Sequence, residues 1–164
     1  MRYIGRGTFV KEGYAALERF HDRAAEICSP AEVIEACLLI EPQLAYVAAL
    51  RAESADYRTL EECIENARKA ETTIEFDKWD NRFHTALVAM SRNNFLINLY
   101  EGISHVRRED NWNRLKEQTT TEDIRKKNLA HLKAIAEAIR NRAPAEAESA
   151  MRNHLLSVQA DLSP

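Results

Sequence analysis

The chain has 164 residues, 45% of them hydrophobic and 30% charged, a balance that fits one soluble globular domain with enough chain to bury a core. Its net charge of −3 argues against the domain itself gripping nucleic acid, which needs a basic face, and the uncharged stretch Pro42–Leu50 is far too short to span a bilayer. Cys28, Cys37 and Cys63 form no C-x-x-C pair and read as small buried hydrophobes in a reducing cytosol; with charges throughout the N-terminus and no apolar signal core, a cytoplasmic location is expected.

Four Gly and four Pro leave little material for turns and favour long helices. In chain order, Gly5 and Gly7 bracket Arg6 as a tight turn requires, and Thr8, Phe9 and Val10 are strand formers. Residues 13–28 carry Tyr14, Leu17, Phe20, Ala24 and Ile27 at helical steps. Ser29, Pro30 and Glu32 then write a helix start as N-cap, N1 and N3, and the helix they open runs to about residue 50 or 52, bent at Pro42. A third helix covers about 56–71 with Leu60, Cys63, Ile64 and Ala67 inward, and a fourth about 74–90. Asn93 and Asn94 break the pattern, since Asn tolerates a left-handed position and caps a helix start. The fifth helix, about 95–116, repeats Leu96, Leu99, Tyr100, Ile103 and Val106. Residues 118–122 form a loop with Thr120 or Thr121 as N-cap, the sixth helix ends near 142, and Pro144 opens a seventh that ends near 160. Beyond the first ten residues nothing alternates with period two. The predicted fold class is all-α, an antiparallel bundle of six to seven helices.

Four residues able to ligate a metal are spread over three of these helices. Asp80 and His84 stand four apart in FDKWDNRFHTAL, on one helix face, close enough to reach a common point. His131 shares a face with Ile135 and Ala138, and His154 with Met151, Leu155 and Val158. Polar groups on apolar faces need partners, and one ion would satisfy all four. Three imidazoles and a carboxylate suit zinc, nickel, iron or manganese rather than calcium or magnesium. On spacing alone, a buried His bonded to a carbonyl is the commoner arrangement, and D-x-x-x-H arises by chance in many helices.

The chain resembles the C-terminal effector-binding domain of GntR-type transcriptional regulators of the FadR subfamily, the FCD domain. The resemblance spans residues 29–160. It is carried by SPAEVIEACLLIEPQLAYVAALRA, by Asp80-x-x-Phe83-His84, by AMSRNNFL from Ala89 to Leu96, by HLKAIAEAI from His131 to Ile139, and by A-x-x-A-M-R-N-H-L from Ala147 to Leu155. RYIGRGTFV resembles the last strand and wing of the winged helix-turn-helix that precedes this domain in such regulators. The resemblance implies a wing remnant over 1–12 and an effector-binding and dimerisation domain over 13–164. It implies Asp80, His84, His131 and His154 as ligands of a divalent transition metal that helps hold a small organic acid. A homodimer is implied too, with DNA contacted only through a domain upstream of this one.

The family often places an Arg on its first long helix to grip the acid, and aligned by the Ile-Glu-Pro that follows, that position is Cys37. The departure points to a different or neutral effector, or to lost sensing. Arg107 is a substitute, following Leu96, Tyr100 and Ile103 on one face; the other reading is a solvated member of the run Arg107-Arg108-Glu109-Asp110. Glu41, inward by its spacing with Leu38 and Ala45, could accept from a ligating His or pair with an Arg. His21 and His105 read as surface or supporting residues, Trp79 and Trp112 as packing or interface residues, Phe83 as core and Asn94 as a cap. Three functions are compatible with these residues: an effector sensor with no catalysis, which the motif set favours; a metalloenzyme, which lacks a second motif for a base or nucleophile; and a dimerisation module with a vestigial cavity.

Overall fold

The computed structural model describes residues 19, 21–24 and 26–162. The expected strand and turn at 1–12, and the boundary at residue 12, lie outside the described residues. Of the helix expected from 13, residues 19, 21–24 and 26–27 are helical. Seven helices follow: α1 Pro30–Arg51, α2 Ser54–Lys69, α3 Thr73–Ala89, α4 Asn94–Val106, α5 Asp110–Thr119, α6 Glu122–Arg140 and α7 Pro144–Leu162. Among the described residues there is no strand, and the architecture is the expected all-α bundle.

Local chemistry sets most of the starts. At α1 the Ser29 hydroxyl accepts from the Glu32 N–H at 3.3 Å while the Glu32 carboxylate accepts from the Ser29 N–H at 2.8 Å. Thr72 and Glu75 repeat this reciprocal cap at α3, and the Thr121 hydroxyl caps α6. α1 continues as one helix through the buried Pro42.

Two expectations are corrected. At the α3–α4 junction Asn93 is the cap, its Oδ1 accepting from Phe95 and Leu96, whereas Asn94 is already helical. The left-handed residue there is Arg92, at φ 53°, held by its guanidinium on Asp56 at 2.6 Å. The single helix expected over 95–116 is two, α4 and α5, broken at residues 107–109. No Gly or Pro marks the break. It is set by tertiary contacts on either side: Arg107 turns inward onto Asp80, and Trp112 is buried with its indole N–H donating to Asp77 Oδ2 at 2.9 Å.

α1 lies along α7, α6 along α7, and α2 along α3. Ala45, Ala48 and Ala49 are fully buried on α1, so neighbouring helices approach its backbone closely. They meet Phe83 and Leu87 of α3, Leu132, Ile135 and Ile139 of α6, and Met151 and Leu155 of α7 in one core. By length and composition α1 could cross a membrane, but half of its apolar window is buried inside the bundle, as in a core helix. The core thus sits where α1, α3, α6 and α7 face one another, and every residue singled out as a ligand is carried on one of the last three.

Candidate metal centre

Asp80 and His84 lie one turn apart on α3, and α7 brings His154 opposite them. One ligand atom from each of the three residues lies within 4.8 Å of the other two, and all three side chains are buried. The two Nε2 atoms of His84 and His154 are 3.2 Å apart. Asp80 Oδ2 is 3.8 Å from His84 Nε2, and Asp80 Oδ1 is 4.0 Å from His154 Nε2. Asp80 Oδ1 and His154 Nδ1 are buried without a hydrogen-bond partner, an arrangement costly in a finished core. One carboxylate and two imidazoles converging with an orphaned oxygen fit a borderline divalent cation such as zinc, nickel or manganese.

A buried lattice of partners orients this group. Glu41, on α1, accepts from His84 Nδ1 on one oxygen and from the Tyr100 hydroxyl on the other at 2.9 Å. The Glu41 contact on Nδ1 turns Nε2 of His84 toward the centre, the usual service of a carboxylate behind a ligating imidazole. Burial alone would raise Glu41, but His84 beside it holds its carboxyl at about 2. Burial likewise opposes ionisation of Asp80, yet the imidazole of His84 and the guanidinium of Arg107 keep it well below the usual carboxylate range. Burial drives His154 the other way, down to about 3 despite the nearby Asp80, so at neutral pH its imidazole is uncharged. A carboxylate and a neutral imidazole are the protonation states that metal binding requires.

His131 is not brought into this group. Its ring stands edge-on to His154, with centroids 5.7 Å apart, and its Nδ1 is buried without a partner. Burial, then the neighbouring Lys127, lowers its pKa. Arg107, for which two readings were open, is not solvated: its side chain is 6% exposed, donates to Asp80 Oδ2 at 2.5 Å and lies over the Trp112 ring at 5.7 Å. Cys37 is buried, near enough to Glu41, Arg107 and Asp80 to feel their charge; burial and then Glu41 push its thiol well above the ordinary range. Glu41 accepts from His84, one of the two partners that its spacing allowed.

Tyr100 was read only as part of an apolar face; its hydroxyl role was not visible because a Tyr on a helical stripe has the same spacing whether or not its oxygen finds a partner. Nor was the Asp77–Trp112–Lys116 cluster foreseen, in which Lys116 Nζ lies 3.6 Å from Asp77 Oδ1. Trp112 and Phe83 are buried as expected, while His21, expected at the surface or in support, is buried.

Comparison with known proteins gives three findings. The FCD domain family matches residues 32–157. The Uxu operon regulator of Haemophilus influenzae is 26% identical over 160 residues, which cover 96% of this chain and 60% of that protein, so the chain spans well under two thirds of its relative's length. A solved structure of a Streptococcus agalactiae GntR superposes with a TM-score of 0.65 at 22% identity, over 93% of this chain and 62% of that one, a likeness of fold.

Proposed function

The chain belongs to the FCD domain family, and from that premise we propose that it is the effector-binding part of a cytoplasmic, dimeric GntR-type transcriptional regulator. In this reading it holds one divalent transition metal and a small organic acid, performs no catalysis, and leaves DNA to a domain upstream of it. The observation that supports it best is the convergence of Asp80, His84 and His154 on one buried point, with His84 backed by Glu41. His131 is the fourth ligand in this proposal, its partnerless Nδ1 one ring away from the group. When bound, the metal offers open positions to the oxygen atoms of the acid. Arg107 beside Asp80 supplies the cationic contact that Cys37 lacks. Against catalysis stands the state of the nearby groups: Cys37 is held as a thiol, and Glu41 is already engaged by His84 and Tyr100.

Elemental analysis of chelator-free protein should find about one transition metal per chain. His84→Ala, and the double variant His131→Ala/His154→Ala, should lose it and melt at lower temperature. Full metal occupancy in the double variant would sink the assignment.

A further inference from the structure

We propose that the groove between α3 and α4 is a second ligand site, for a small hydroxylated dianion, which adjoins the metal centre only through the shared Arg107. It goes beyond the proposed function and does not need a metal. The groove is a cavity of about 440 Å³ whose walls include Lys78, Arg82, Arg107 and Arg108 and none of Asp80, His84 or His154. Asp77, the carboxylate among its lining residues, accepts from the Trp112 indole N–H at 2.9 Å on one oxygen, while the other has no hydrogen bond and lies 3.6 Å from Lys116 Nζ as an ion pair. Asp80 offsets Arg107, Glu101 offsets Arg108 and Lys116 offsets Asp77, so Lys78 and Arg82 leave the cleft an excess of positive charge that favours a multiply charged anion.

Arg82 lies over the Trp79 ring at 5.3 Å, and the other three cations each have a distinct standing. Lys78 is exposed, and no partner for it occurs among the described residues. Arg108 is tied by Ser104 Oγ at 2.7 Å and Glu101 at 2.8 Å, which points a fixed guanidinium at the cleft. Arg107 spends one Nη on Asp80, but its Nε is buried and has no acceptor. An anion at that Nε would relieve it.

The hydroxyl requirement comes from Asn81. It is 5% exposed, and its Nδ2 donates to the Ser104 carbonyl at 3.3 Å and to Ser104 Oγ at 3.1 Å. A carbonyl only accepts, so the Ser104 oxygen fixes which end of the amide faces it. Asn81 Oδ1 is then left buried and unpaired. A buried acceptor on the wall of a cationic groove asks for a ligand that brings a donor along with its charge. Phosphate esters of polyols and hydroxydicarboxylates share that chemistry.

Isothermal titration of the metal-stripped full chain with dianionic methyl phosphate, glycerol 3-phosphate, malate and succinate tests this. Glycerol 3-phosphate or malate should bind at least tenfold more tightly than its hydroxyl-free counterpart, methyl phosphate or succinate; whichever of the two leads identifies the ester or the hydroxy acid. Lys78→Glu/Arg108→Glu, both exposed positions, should weaken binding at least tenfold with unchanged helical circular dichroism. Asn81→Ala should erase the hydroxyl preference. Absence of dianion binding to the stripped protein, undiminished affinity in the folded charge-reversed variant, or loss of binding in stripped His84→Ala would each overturn the proposal. Failure of the metal reading shows separately, as missing metal in an otherwise ligand-competent chain.

Discussion

The imidazole of His154 is buried, and this gives the candidate centre a pH signature when no metal competes with protons. Its folded value of about 3 lies below the ordinary 6.5. Above 6.5 neither folded nor unfolded chain carries the proton. Below it the unfolded chain binds a proton that the folded chain refuses, so stability is lost as pH falls from about 6.5 toward about 3. Glu41 adds a loss of the same sign, but only from about 4.5 toward about 2. His154 therefore has the window from 6.5 to 4.5 to itself among these two, with a limiting slope of about 1.4 kcal/mol per pH unit. Burial raises Asp77, which works in the opposite sense, so the readout is the difference between wild type and His154→Gln. Melting curves of stripped protein should show that the wild type loses more stability than the variant between pH 6.5 and 4.5. Parallel curves would contradict a neutral, buried His154.

At the scale of elements, the starts of α1 and α6 were legible because Ser29 and Thr121 carry their own partners three residues along. The ends of α3 and α6 were legible in place, near 90 and 142, but not in what closes them. α3 and α6 are followed by Arg92 and Arg142, both at φ 53°, where Asn or Gly would be the local choice. Neither arginine is there for backbone preference. Arg92 reaches Asp56, and Arg142 donates to the Leu50 and Ala52 carbonyls at 3.1 and 3.0 Å, closing the orphaned end of α1. Left-handed strain of about 1 kcal/mol or more is thus offset by contacts 36 residues away in sequence for Arg92 and 90 or more for Arg142, which no local pattern records. Chemical denaturation should find Arg142→Ala the more destabilising change and Arg142→Gly the milder one, because Gly loses the same bonds but relieves the strain. Equal losses would mean that the backbone is not strained there. The α4–α5 break was hidden for a related reason: Arg107 and Trp112 leave the helical path for partners on α3, and a charged run with no Gly or Pro looks continuous.

For the whole molecule, the distribution of exposed apolar side chains is uneven. Leu39 and Leu50 on α1 are 75% and 55% exposed and share a stripe with Tyr46, and Phe95 on α4 is 76% exposed beside Leu99. These are the surfaces a second copy would cover in the dimer proposed above. Light scattering should give twice 18.8 kDa, and Leu39→Arg/Leu50→Arg should return the monomer mass without loss of helix; a wild-type monomer at micromolar concentration would remove the dimer. The metal centre was only half legible at this scale. Helical spacing placed Asp80 beside His84 and put His154 on an inward face, but which inward faces meet is decided by α1 lying along α7 and α7 along α6. That geometry joins His154 to the α3 pair and leaves His131 at its edge.

One glycine ties these scales together. A Cβ at Gly102 would come within 3.3 Å of the His21 ring, so the helical residues before α1 rest directly on the backbone of α4. Next to that seat, His105 Nε2 meets Asp22 at 3.1 Å. On the same thirteen-residue helix Tyr100 holds Glu41, and its C-cap is Arg107, the wall shared by centre and groove. α4 is thus a short rod gripped at one end by the charge balance around Asp80 and pressed along its side by the N-terminal segment. Arg107 on Asp80 and residues 21 and 22 on Gly102 and His105 thus share one short helix, within one or two turns of each other.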